Sequence, residues 1–326
     1  MSKPGVFITG ATGFVGKRLT ASLLEDGLSV WALLREDALD FDGRVQIVKG
    51  DVAEEFEIPP QVGTVFHCAG YWSDKESAAE KVRLERINVR GTERVVEAAL
   101  AKSCRMIHLA TATYAGETKN GNIDEDAICH PRSFYEETKY RAEMIVRQAT
   151  AAGLKAQILR PTFIFGPGRK PADDPLLQLL IAIKRGRYRN IGKGDGIYNI
   201  IHVNEVVAAL RALDDGNIPN GGVYFINSPI TFRAVARVVV AATTGEAKEP
   251  RNIPFSVAYG IALLFAIVTT VTGRRMPLSI SRLRTLTSRK VYSQGRLVDK
   301  TPYRTLQSVE EHLAQTCREY ERGGLL

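Results

Sequence analysis

The chain has 326 residues, with 44 Lys and Arg against 36 Asp and Glu for a formal charge of +8; it is 44% hydrophobic and 25% charged. These proportions exclude a disordered, collagen-like or disulfide-stapled chain, and the length allows one large or two modest domains with ample core. The charge excess is local, because Arg251, Arg274, Arg275, Arg282, Arg284, Arg289, Lys290 and Arg296 stand in a stretch, 251–298, that contains no acid, and the rest of the chain is balanced. That placement argues against a nucleic-acid partner, as does the lack of interleaved aromatics for base stacking.

Short apolar runs alternate with longer helical patterns through the first half. Val6–Ile8, Leu28–Leu34, Val45–Val48, Thr64–His67, Arg105–Leu109 and Lys155–Leu159 read as strands. Lys17–Glu25, Ala78–Ala101 and Phe134–Ala152 read as helices between them. Such alternation predicts a parallel sheet covered by helices on both faces. After Pro161 the pattern loosens into a Gly- and Pro-rich loop over 166–171, a helix over Leu176–Arg185, another from His202 through Leu213, and a strand over Gly222–Ile226. Ser308 to Arg322 reads as a closing charged helix. Cys68, Cys104, Cys129 and Cys317 form no CxxC pair, and no His stands at metal-ligand spacing, so the expectation is a reduced, cytoplasmic chain without a metal. The N-terminus enters its first strand without the long apolar stretch of a signal peptide.

Thr9-Gly10-Ala11-Thr12-Gly13-Phe14-Val15-Gly16 lies between the first strand and the first helix. Its three glycines suit a tight turn, close approach of backbone to a pyrophosphate, and packing of helix on sheet. The helix N-terminus adds free N–H groups and a positive dipole end. Arg35 follows the second strand and favours the 2′-phosphate of NADP(H), while the acids after it, Glu36 and Asp37, leave NAD(H) open. Asp51 and Val52 after the third strand are placed to hold the adenine edge; Ala69 and Gly70 after the fourth are small where a ligand passes close.

Tyr135 and Lys139 stand at i and i+4 on one helical face. A free phenol titrates near about 10, so useful acid–base work needs neighbours that favour the phenolate, such as an ammonium and an oxidised nicotinamide. Thr111 follows a parallel strand, at the sheet edge where open α/β sheets bind ligands, and can hydrogen-bond the same substrate oxygen. The run from Arg160 through Pro161, Thr162, Phe163 and Ile164 to Gly168 leaves a strand at that edge too.

With these motifs in this order, the chain resembles the extended short-chain dehydrogenase/reductases, the NAD-dependent epimerase/dehydratase superfamily, over nearly its whole length. The resemblance implies a Rossmann doubly wound sheet over 1–167, with pieces returning from about 199–245. A smaller, mostly C-terminal α/β substrate-binding part over 168–326 would include 251–298. It also implies Thr111 as substrate-orienting hydroxyl, Tyr135 as acid/base and Lys139 on the nicotinamide ribose. Asn88 becomes a strut beside the site, and Thr12, Phe14, Val15, Pro161 and Ile164 join the glycines around the cofactor. Members acting on nucleotide sugars usually carry Asn at the position of Phe163, and an Arg-Asp pair where this chain has Tyr198 and Asn199. The dehydratases place Asp-Glu after the Thr, where this chain has Ala112 and Thr113. The motifs are nearest the 3β-hydroxysteroid dehydrogenase and dihydroflavonol reductase branch, which implies a secondary alcohol or ketone on an apolar small molecule.

Two other functions stay open at this point: a nucleotide-sugar epimerase with tightly held NAD, and an NADP-sensing binding protein without turnover. A homodimer is compatible with either. Ser256 to Gly273 carries no charge and abuts the basic stretch. It suits a pocket wall or core helix of the substrate part, a peripheral membrane contact at the cytoplasmic face, or a short span.

Overall fold

The computed structural model describes residues 4–35, 42–116, 121–169, 171–245, 250–272 and 278–326. Glu36, Asp37, Arg274 and Arg275 lie outside the described residues. The first half comprises β1 (Gly5–Thr9), α1 (Phe14–Glu25), β2 (Val30–Leu34), β3 (Gln46–Lys49), β4 (Val62–His67), α2 (Ala78–Leu84), α3 (Gly91–Ala101), β5 (Arg105–Leu109), β6 (Asn122–Ile123), α4 (Phe134–Ala151) and β7 (Ala156–Pro161). The second half adds β8 (Phe163–Phe165), α5 (Pro175–Lys184), β9 (Asn190–Ile191), β10 (Ile197–His202), α6 (Val203–Ala212), β11 (Val223–Ile226), β12 (Ser228–Thr231) and α7 (Phe232–Thr244). It closes with β13 (Asn252–Ile253), α8 (Phe255–Thr272), α9 (Ile280–Thr287), β14 (Val291–Tyr292), α10 (Gly295–Lys300) and α11 (Val309–Arg322).

Seven parallel strands form the main sheet in the order β11-β7-β5-β4-β1-β2-β3. Every residue of β1 and β2 is buried, as continuous apolar strands require when both sheet faces are covered. On one face Leu19 and Leu23 of α1 meet Val206 and Leu210 of α6 over Ile8 and Phe66. On the other, Val95 and Ala99 of α3 and Val146 of α4 pack over Phe7, Val65 and Met106. A further core gathers Phe165, Leu180, Val239 and Leu313 around the sheet β12-β10-β8. The strand order reverses at β1, which opens a crevice beyond the carboxyl ends of β1 and β4.

Two sequence expectations differ from the structure. The single helix expected over Ala78–Ala101 is interrupted by a π turn over Glu85–Arg90, a local widening often found at functional sites, and it carries Asn88. The uncharged segment is a helix, α8, but not a core helix. It buries Ala258 and Ala262 against Leu283 and leaves its large apolar side chains exposed. Uniform apolarity has no periodicity, so it could not show which side faces the protein.

The C-terminal helix is anchored through one carboxylate. Glu205 on α6 accepts from Tyr303 Oη at 2.6 Å, the Leu306 and Gln307 amides at 2.9 and 3.0 Å, and pairs with His312 Nε2 at 2.9 Å.

Candidate active site

Gly10 adopts φ +73°, and a Cβ there would lie 2.6 Å from the Ala69 backbone nitrogen, so β1 can turn beside β4 only as glycine. A Cβ on Gly16 would strike the Gly10 carbonyl at 2.1 Å, so α1 starts hard against the turn. Gly13 caps α1 without a side chain, and no side-chain oxygen there competes for the first-turn amides. An anion-binding helix start has this character. Phe14 and Val15 open the helix, with Val15 buried.

The crevice has a volume of about 540 Å³. Gly10, Thr12 and Gly13 line one side, Arg35 and Asp51-Val52 the far end, and Ala69-Gly70 the β4 edge. These residues could hold an extended dinucleotide, its phosphates at the glycine turn and its adenosine at the Arg35 end. Arg35 is exposed and forms no ion pair with a described residue. Asp51 is not a free acceptor: it receives the Ala53 amide at 2.9 Å and pairs with Arg86 at 3.1 Å. Tyr71 and Arg83 also line the cleft, the guanidinium 4.2 Å over the ring. Sequence spacing gave no signal for that pair.

The phenol and hydroxyl expected to work together are near enough for the Thr111 side chain to pull the Tyr135 phenol down, and the Thr111 hydroxyl meets that of Thr113 at 3.3 Å. Ser133 caps α4 by accepting the Glu136 amide, which puts Tyr135 in the first turn and Lys139 one turn deeper. Lys139 is buried and donates to the Leu109 carbonyl at 2.9 Å. Its Nζ and Asn88 Oδ1 each lie 3.7 Å from where a Gly70 Cβ would be, so a side chain there would crowd the approach to Lys139. Asn88 exchanges hydrogen bonds with the Tyr71 backbone at 2.8 and 3.0 Å and reaches Thr138 at 3.0 Å, tying the loop after β4 to α4.

The electrostatics differ from the sequence expectation. Burial, and after it the neighbouring Glu136 carboxylate, push the Tyr135 phenol up to about 12, against the downward pull of the Thr111 side chain and of Arg169, a residue sequence reasoning left in a loop. Burial also brings the Lys139 ammonium down, to about 8. Desolvation outweighs the pull of the nearby charge here.

Arg169 lies between two rings, 4.7 Å from the Phe14 centroid and 5.5 Å from that of Phe163. It donates to the Ile164 carbonyl at 3.0 Å, and its Nε is buried without a partner. Phe163 stacks on Tyr198 and Tyr198 on Phe232, at 6.0 and 4.9 Å between centroids. Asn199 is consumed structurally, donating to the Lys290 carbonyl at 2.9 Å and accepting from Asn227 at 2.9 Å. The Pro161 and Ile164 carbonyls accept from the Ala112 amide and from Arg169.

Beneath the site, Glu143 on α4 takes Arg160 of β7 in two bonds of 2.8 and 2.6 Å, with Tyr114 Oη donating to the same carboxylate. Arg160 is 1% exposed, so this buried pair fixes the helix bearing Tyr135 to the sheet.

The family model described as the NAD dependent epimerase/dehydratase family matches residues 6–226, more than half of the chain. The chain belongs to that family. It is 33% identical over 273 residues to a 4-hydroxy-2-methyl-3-oxo-4-farnesyl-3,4-dihydroquinoline-1-oxide ketoreductase of Stigmatella aurantiaca, spanning 79% of this chain and 78% of the relative. It is 28% identical over 283 residues to the decarboxylating sterol-4-alpha-carboxylate 3-dehydrogenase of Mus musculus, spanning 82% and 76%. The fold matches that of UDP-glucose 4-epimerase from Thermotoga maritima with TM-score 0.74 at 21% identity, covering 99% of this chain and 100% of the other. This member of the epimerase/dehydratase family is an oxidoreductase of the extended short-chain type, and its cofactor is a nicotinamide dinucleotide.

Proposed function

We propose that the protein interconverts a secondary alcohol and a ketone on an apolar substrate, sterol-, lipid- or polyketide-like, with NADP(H) as the preferred dinucleotide. The observation that carries this reading is the gathering of Thr111, Tyr135 and buried Lys139 past the carboxyl edge of the sheet, with the Phe163–Tyr198–Phe232 ring stack and, among the described residues, a single cation, Arg169, on the strand-end segment beyond. When bound, the dinucleotide supplies or accepts the hydride at its nicotinamide ring.

Tyr135 passes a proton to or from the substrate oxygen, and Thr111 orients both the phenol and that oxygen. Lys139, one helical turn away, stands by Gly70 where the nicotinamide ribose would enter, and its charge there favours the phenolate once phenol and ribose are bridged. Arg169 lowers the phenol from the other side. Burial keeps the phenol protonated in the free protein, which suits a proton donor to a developing alkoxide.

The relatives named as a ketoreductase and a sterol dehydrogenase support the apolar substrate. The Phe163–Tyr198–Phe232 stack and the fully engaged Asn199 support it against a nucleotide sugar, whose charged diphosphate needs cations and free polar groups. Arg35, exposed at the adenosine end, supports NADP(H).

The test is NADPH oxidation with a panel of steroid ketones and long-chain 3-oxo esters, alongside thermal protection by UDP- and GDP-sugars. Turnover of an apolar ketone without sugar-nucleotide protection is expected. Protection by a nucleotide sugar, with no ketone turned over, would replace this reading by an epimerase.

A further inference from the structure

Helix α8 inverts the usual arrangement of a surface helix. Such helices bury a stripe of large apolar residues and show polar ones to water. Along α8 the buried positions are the small Ala258 and Ala262, one turn apart, seated on Leu283 of α9 and on Ile191 and Ile253. Phe255, Val257, Tyr259, Leu263, Leu264 and Ile267 are exposed instead, Leu264 by 58% and Ile267 by 63%. Nearly half of the large apolar side chains exposed among the described residues sit within these four turns. A contiguous patch of that kind marks an interaction surface.

Charge says what covers it. Arg251 precedes α8, Arg282 and Arg284 are exposed on α9, and no acid occurs from 250 to 298. Part of the local excess is neutralised within the fold, since Arg289 pairs with Asp195 and Arg296 with Glu125 and Asp126. Arg251 and Arg284 form no ion pair with a described carboxylate. A second copy docked face to face through α8 would bring these arginines toward their own kind, and a neutral apolar protein would leave them unmatched. An anionic lipid surface takes both features at once, with apolar side chains below the headgroups and guanidinium groups on the phosphates. No helix among the described residues is long and apolar enough to cross a membrane.

We propose that α8 and α9 form a peripheral docking face for an anionic bilayer. The face is separate from the dinucleotide cleft, and its test does not depend on the substrate reading.

The experiment is sedimentation of the full chain with vesicles of phosphatidylcholine containing about one-third phosphatidylglycerol, and with phosphatidylcholine alone. Binding to the mixed vesicles that weakens with salt is expected. Leu264→Glu/Ile267→Glu should lower the partition coefficient at least about tenfold, and Arg284→Glu should lower the preference for anionic vesicles about fivefold or more. NADPH affinity, read by fluorescence, should be unchanged in both, which also reports that the variants are folded. No sedimentation with either vesicle overturns the proposal, as does binding that Leu264→Glu/Ile267→Glu leaves intact. Self-association abolished by the same double variant, without vesicle binding, assigns the face to a second copy instead.

Discussion

Helices α4 and α8 have the same length, 18 residues, and opposite relations to the protein. Helix α4 begins at a Ser133 cap, buries Lys139, Ala142, Glu143 and Val146 along one side, and is locked to the sheet by the Glu143–Arg160 pair. Helix α8 contains no charge, buries two alanines, and turns its bulk outward. The first spends its polar groups on holding a phenol in place. The second contributes little to the core and offers its side chains to something outside the chain. Apolarity alone therefore does not say that a helix is internal; the size of the residues on its buried stripe does.

Substitutions can break that contrast, and the largest effect belongs to α4. Glu143→Leu leaves the Arg160 guanidinium buried without its partner, a loss of about 3–5 kcal/mol by denaturant unfolding. Arg160 and Tyr114 hold the Glu143 carboxyl below its ordinary value against the opposing effect of burial. The sign follows from linkage: the pair's stabilisation is complete above the ordinary value of 4.5 and is lost as pH falls below it. Wild-type stability should drop on acidification through that range more steeply than that of Glu143→Leu.

Arg169→Gln removes the cation that lowers the Tyr135 phenol. The alkaline limb of the pH–rate profile should move upward and turnover should fall about tenfold, equal to about 1.4 kcal/mol of barrier. An unmoved profile would leave Arg169 as a packing residue between Phe14 and Phe163. Ser133→Ala should cost about 1 kcal/mol of stability by removing the cap that starts α4. Leu264→Glu on α8 should change stability by no more than about 0.5 kcal/mol, because the side chain already faces water. A loss there as large as that of Ser133→Ala would mean that α8 serves the fold after all.

Much of this architecture is legible in the sequence, for identifiable reasons. The strands of the main sheet are short apolar runs because both faces are covered, and the glycine turn is legible because Gly10 and Gly16 have no room for a Cβ. Thr111 and Tyr135 can be paired because each follows a boundary, a strand end or a helix cap, that composition marks. What stays hidden depends on distant contacts. Nothing local to Arg160 announces Glu143, 17 positions earlier, and nothing in the Gly-rich loop announces that Arg169 folds back between Phe14 and Phe163. The state of the phenol is hidden too: the i, i+4 spacing suggests an ammonium lowering it, whereas burial dominates and raises it. Hidden likewise is the pairing of Asp51, placed at the adenine end of the cleft, with Arg86.

The central claim is that Tyr135 moves the proton while the dinucleotide moves the hydride. The most direct test is single-turnover oxidation of NADPH by an apolar ketone in wild type and Tyr135→Phe, with NADPH affinity measured on both. The rate should fall by at least about 10²-fold in the variant while affinity stays within about twofold. A variant that keeps the wild-type rate at unchanged affinity would contradict the assignment.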